Sequence, residues 1–119
     1  MPLTQESLDA GKKTYQLACM ACHSATGAPG PTIAMRPTAP HFNRPEWSRS
    51  RSDTELYLTI QMGRPMKGMP SWKHLRPRET WSIIHFIRSL SGTAEEFAQA
   101  AEKAANATSQ DSPEGASTP

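Results

Sequence analysis

Between Leu3 and Cys19 the apolar residues Leu8, Tyr15 and Ala18 recur at helical spacing, with Thr4 or Ser7 placed to cap the start. That pattern predicts a first helix. From Ser24 to Arg51 the periodicity disappears among glycines and prolines, and a long loop is expected. Helical spacing resumes in SDTELYLTIQMG, where Leu56 and Ile60 lie four apart. Ser52 and Glu55 there have the spacing of a capping box, and Gly63 is placed to end the helix. A second loop, RPMKGMPSWKHLR, follows. The strongest pattern is PRETWSIIHFIRSLSG: Trp81, Ile84, Leu90 and the Ile83/Ile87 pair form a broad apolar face. Pro77 suits its first turn, Glu79 its N-terminus and Arg88 its C-terminus, and Gly92 stops it. After Thr93, AEEFAQAAEKAANA predicts a weak helix with Phe97 as its only large apolar residue, and TSQDSPEGASTP has the composition of a disordered segment. The expectation is a small all-α fold with long loops, no strands and no repeat.

Composition sharpens this picture. Only 36% of the residues are hydrophobic, and eleven of the 119 are proline. A core so poor in apolar side chains is marginal alone, and a large apolar ligand at its centre would help it. No run approaches the roughly 18 apolar residues of a membrane helix. The start, MPLTQESLDAGKK, lacks a basic stretch followed by an apolar one, so no export signal is expected in it. The net charge of +2 is unevenly placed: residues 1–92 carry twelve Lys/Arg against six Asp/Glu, and residues 93–119 one Lys against five acids. The arginines of the basic part are scattered among prolines rather than striped along a helix, which argues against a nucleic-acid surface.

The two cysteines stand three apart in Cys19-Met20-Ala21-Cys22-His23. A disulfide closing so small a loop would stabilise little. A thioredoxin-like pair belongs near a βαβ pattern, and no strand is predicted. A zinc site needs four ligands, and there is no second cysteine pair. Cys-x-x-Cys-His is the attachment signature of c-type haem. Two thiols at this spacing reach both vinyl groups on one edge of the porphyrin and put the following imidazole beneath the iron. One haem c bound by Cys19 and Cys22, with His23 as an iron ligand, is therefore expected.

The other axial position decides what the iron can do. Met35, Met62, Met66, Met69, His41, His74 and His85 are the candidates. His85 lies within the strongest helix, where a packed or solvated role suffices. The loop histidines His41 and His74 need be no more than solvated, and Met62 closes a helix where packing explains it. Met66 and Met69 share GRPMKGMPSW. Met69 fits better, between Gly68, which permits a tight backbone, and Pro70, which stiffens the exit; Met66 is the alternative.

With these residues in view, the stretch from about Leu3 to Leu90 resembles a class I monohaem cytochrome c of the bacterial type, through CMACH, GAPGP, ELYLTIQMG, GMPSW and TWSIIHFIRSL. The resemblance implies a small cytochrome c fold over residues 1–92, three to five helices wrapped around one covalently bound haem. Residues 93–119 are then an acidic, Ala-rich to low-complexity tail, part helical and part disordered. It implies that the first and last helices of the domain cross at a glycine, with aromatic rings beside the crossing; Gly11, Tyr15 and Phe86 match those positions. It implies that the Pro31 carbonyl accepts a hydrogen bond from the second ring nitrogen of His23. PTAPHFNRPEWSRSRSD resembles the loop around the haem propionates, which makes Arg36, Arg44 and Trp47 propionate partners, although a packed or solvated role is the simpler reading of each.

Ligation by His23 and Met69 would leave no position for a substrate, so the expectation is an outer-sphere electron carrier and no enzyme. Its partners would be a redox donor and a redox acceptor, with acidic docking surfaces suited to the basic body. Two alternatives stand beside it: a catalytic or gas-sensing haem protein with a displaceable sixth ligand, and an electron-transfer module excised from or tethered to a larger oxidase or reductase. Because thioether attachment occurs outside the bacterial cytoplasm, the expected location is the periplasm or the outer face of a membrane, the chain being mature or trimmed.

Overall fold

The computed structural model describes residues 2–24, 26–30 and 40–111. Its helices are α1 (Gln5–Ala18), α2 (Met20–His23), α3 (Pro45–Arg49), α4 (Asp53–Met62), α5 (Pro77–Leu90) and α6 (Ala94–Asp111), with one 3₁₀ turn at Pro65–Lys67. Among the described residues the only β-type pairing is an isolated antiparallel bridge between Arg64 and Met69. The fold is all-α, with five α-helices among the described residues of the first 92.

Local chemistry explains where the helices begin and end. At α1 both anticipated capping residues act together: Thr4 Oγ1 accepts from Ser7 N at 3.0 Å, and Ser7 Oγ accepts from Thr4 N at 3.0 Å. At α4, Ser52 Oγ accepts from Glu55 N and Glu55 Oε1 accepts from Ser52 N. Gly63 ends that helix at φ +68°, a conformation that L side chains rarely adopt. Pro77 opens α5, where Glu79 accepts the Arg76 amide at 2.9 Å.

Two expectations need correcting. The loop expected over residues 24–51 contains α3, a five-residue helix that periodicity cannot reveal at that length. Helix α6 runs on to Asp111, through the first four residues of the segment whose composition reads as disordered. Residues 112–119 lie outside the described residues.

The frame is the crossing of α1 over α5. Gly11 lies against the backbone of α5, where a Cβ added to it would stand 1.9 Å from the Ser82 carbonyl oxygen. Only a glycine permits that approach. Beside the crossing the Tyr15 and Phe86 rings pack at 5.0 Å, tilted by 57°. Ile83, Ile84 and Ile87 of α5 meet Leu56 and Ile60 of α4, together with Tyr15 and Phe42, in one small core. Trp81 stays half-buried and packs on Tyr57.

Candidate functional site

The cysteine segment follows α1 without a break and forms a helical turn of its own. His23 N donates to Cys19 O at 2.9 Å and Ser24 N to Met20 O at 2.8 Å. A turn of helix brings Cys19 and Cys22, three residues apart, onto one side. Cys19 is half-buried and packs against the core; the side chain of Cys22 lies outside the described residues. The turn is pinned from beneath. The fully buried Tyr15 donates its hydroxyl to the carbonyls of both Ser24, at 2.7 Å, and His23, at 3.0 Å. Burial, reinforced by nearby Cys19, pushes the Tyr15 phenol well above its usual range, so it stays a donor.

The imidazole of His23 stacks on Phe42 at 4.7 Å with 29° between the planes. Burial lowers its pKa from the ordinary imidazole value, which leaves the ring neutral at pH 7 with a lone pair to offer. Its Nδ1 is buried and has no hydrogen-bond partner among the described residues. A buried ring nitrogen without a partner is the kind of exception that calls for a metal, a cofactor contact or a further acceptor. Neutral, partly enclosed and fixed in direction, His23 fits a haem ligand.

Phe42 was not singled out by sequence reasoning, yet it joins the site to the rest of the molecule. Its amide donates to Gly27 O at 2.9 Å, and its ring packs on Trp47 of α3 at 5.0 Å. An aromatic residue inside a proline-rich loop was the available signal. Trp47 is half-buried against the core, whereas Arg44, just before α3, is exposed and donates its amide to His41 O. Arg44 is thus not brought to His23 as Trp47 is, through Phe42. Pro31, Met35 and Arg36 lie outside the described residues.

The methionine loop has its own tethers. Arg64 and Met69 exchange two backbone hydrogen bonds, at 2.9 and 3.0 Å. Ser71 Oγ donates to Gln61 O, and Trp72 N to Ile60 O, which occupies carbonyls left open at the end of α4. A Cβ on Gly63 would stand 2.5 Å from the Pro70 carbonyl oxygen, so glycine there lets the loop fold back on α4. Met69 is half-buried; Met66 is 99% exposed and Met62 69%. Among the histidines, His74 is exposed beside Trp72. His85 is half-buried and turned to Ser7, its Nδ1 3.0 Å from the Ser7 hydroxyl.

Arg88 lies in the last turn of α5, where its charge is expected to complement the helix end. It is also 1% exposed. Its guanidinium donates to the Ser48 carbonyl and hydroxyl, to Arg51 O at 2.6 Å and to Asp53 Oδ1 at 2.9 Å, and the Phe97 ring covers it at 3.5 Å. Its place four residues after Ile84, on the buried stripe, was the overlooked sign.

Comparison with known proteins agrees with this arrangement. The family model described as "Cytochrome C oxidase, cbb3-type, subunit III" matches residues 6–87. No curated protein matches the chain. Among solved structures, the KustC0563 c-type cytochrome is similar at 28% identity with a TM-score of 0.60, over 67% of this chain and 95% of that one. The chain thus belongs to the cytochrome c oxidase, cbb3-type, subunit III family, as a monohaem c-type cytochrome domain with covalently bound haem c.

Proposed function

We propose that this chain is an outer-sphere single-electron carrier in which Cys19 and Cys22 form the two thioethers and His23 and Met69 are the axial ligands. The observation that carries the reading is the half-buried, neutral His23 ring, whose buried Nδ1 has no partner among the described residues, in the same helical turn as Cys19. Bound haem would supply a reversible one-electron couple. Around it the chain's own groups have separate tasks. Tyr15 locks the attachment turn, and Phe42 fixes the plane of the His23 ring. The doubly bonded Arg64–Met69 bridge restrains a soft thioether, which favours the reduced state and raises the reduction potential. With His23 and Met69 both holding the iron, no position would be left for a reactant. Met66, almost fully exposed, is the weaker candidate.

We assign residues 1–92 to the cytochrome unit, where Trp47 belongs to the haem surroundings through Phe42, and residues 93–119 to a tail. Membership of an oxidase-subunit family favours a tethered or docked module that exchanges electrons with a larger redox assembly. The excess of basic residues in residues 1–92 suits acidic docking faces on that assembly. Among the described residues no helix is long and apolar enough to cross a membrane. Covalent haem attachment places the working site outside the bacterial cytoplasm, in the periplasm or against its membrane.

Absorption spectra of both oxidation states test the reading. The oxidised protein should show the weak red-edge band of a thioether–iron bond, and the reduced protein should fail to bind carbon monoxide. Loss of that band in Met69→Ala, with its retention in Met66→Ala, is expected. Rapid carbon monoxide binding by the unaltered protein would favour a catalytic or gas-sensing haem instead.

A further inference from the structure

The environment of His23 is held in place by a short helix that cannot hold itself. α3 has only five residues and no side-chain cap at its N-terminus. A helix that short is not stable in isolation. Carbonyls of its last turn and of the link to α4 converge on Arg88: Ser48 O, which also accepts from Arg51 N at 3.3 Å, and Arg51 O both accept from the guanidinium. The same fork reaches Ser48 Oγ at 3.0 Å and Asp53 Oδ1 at the start of α4. Ser48 is fully buried and hydrogen-bonds Thr93 as well, at 2.8 Å. One residue before Ser48 stands Trp47, packed on Phe42, which stacks on His23.

We propose that Arg88 is a positioning residue for the electron-transfer site: its planar fork fixes α3, and α3 sets how Trp47 and Phe42 pack against His23. The inference rests on the haem-ligand role of His23 given above and is independent of which side chain takes the opposite position. Lysine cannot replace the arginine. A single ammonium does not present a rigid fork to two carbonyls, a hydroxyl and a carboxylate at once. Phe97 closes the remaining side of the guanidinium, so the first turn of α6 belongs to the same device. Charge alone is not the agent; geometry is.

The test uses the haem-loaded full chain as wild type, Arg88→Lys, Arg88→Met and Asp53→Asn. Amide hydrogen exchange is followed at Phe42, Ser48 and Ser50, whose amides are hydrogen-bonded, and at α1 and α5 as internal references. The reduction potential is measured on the same samples. In both Arg88 variants the amides at 42–50 should exchange about tenfold faster or more while α1 and α5 keep their protection. The potential should shift in the same direction in both, although lysine keeps the charge. Asp53→Asn should give a milder form of each change, and it decides the matter should Arg88→Met fail to fold. Unchanged exchange at 42–50, a wild-type potential in Arg88→Lys, or equal acceleration throughout the chain would overturn the proposal. Absence of the thioether band in the wild type would count against Met69 alone, since these readouts concern the His23 side.

Discussion

Replacing Gly11 by alanine tests the helix crossing on which the site is built. The added methyl would stand 1.9 Å from the Ser82 carbonyl oxygen, 2.5 Å from its carbon and 3.1 Å from Phe86 Cβ. Contacts of this kind relax near about 3.5 Å, so the two backbones must move apart by roughly 1.5 Å. Neither neighbour can swing away, because the atoms struck first belong to the α5 backbone. Overpacking of this sort costs about 3 kcal/mol at the upper end of its usual range. Alanine recovers about 1 kcal/mol through its better helix propensity. The net loss is about 2 kcal/mol, which for a chain of this size lowers the melting temperature by roughly 8 °C. Thermal unfolding of the haem-loaded protein, followed by far-ultraviolet circular dichroism at matched haem content, reads this directly. Gly92→Ala is the comparison: it has φ +75° but nothing within 4 Å of a new Cβ, so only backbone strain is added. A melting temperature for Gly11→Ala at or above the wild-type value would refute the close approach of the helices.

Other outcomes follow from the same contacts. Tyr15→Phe removes the donor that holds two carbonyls of the attachment turn, and it should cost about 1–3 kcal/mol in urea titrations with the fold retained; an unchanged midpoint would show that the hydroxyl is dispensable. Gly63→Ala should dislodge the Met69 loop, because the Cβ meets the Pro70 carbonyl and the backbone is left-handed. The thioether band should then weaken and carbon monoxide binding appear, whereas an intact band would mean that the loop adapts. His85 provides a pH dependence. Burial lowers its pKa against the opposing pull of Asp53, so the unfolded chain takes up the proton first on acidification. The stability tied to its neutral form is complete above about pH 6.5 and is lost as the pH falls through that value. The urea midpoint should therefore drop more between pH 7.5 and 5 in the wild type than in His85→Gln, and parallel curves for the two would argue against this account.

What could be read from the sequence was local or carried by a short motif. The capping pairs at Thr4/Ser7 and Ser52/Glu55 act within one turn of helix, so sequence spacing is enough to find them. The haem turn is equally local, because thiol spacing dictates its shape. Gly11, Tyr15 and Phe86 were placed at the crossing by family resemblance, and the α1–α5 contact has all three. The harder features depend on partners distant in the chain. Phe42 gains its meaning from His23, nineteen residues earlier, and Arg88 from Ser48, forty residues earlier. Helix α3 is too short to show a period and exists because of what surrounds it. A buried arginine defeats hydropathy reasoning in particular, since its position on the apolar stripe and its charge point to opposite faces.

The same contrast explains how a chain so poor in apolar residues can hold a site rigid. Dispersion and the hydrophobic effect act mainly where α1, α4 and α5 meet, around a few isoleucines and one tyrosine. The segments around His23 and Met69 add to the apolar contacts of Phe42, Trp47, Trp72 and Leu75 a set of hydrogen bonds to backbone carbonyls. Tyr15 serves the attachment turn, Arg88 the α3 segment, and Ser71 with the Arg64–Met69 bridge the methionine loop. Each tether is directional and weakens steeply with misalignment, so it restrains angle as well as distance. Electron transfer would reward that kind of restraint, because the proposed ligands His23 and Met69, keeping their orientation in both oxidation states, would keep the reorganisation small. Deleting an apolar core residue should therefore cost mainly stability, whereas deleting a tether should alter potential and ligand exchange at a smaller cost in stability.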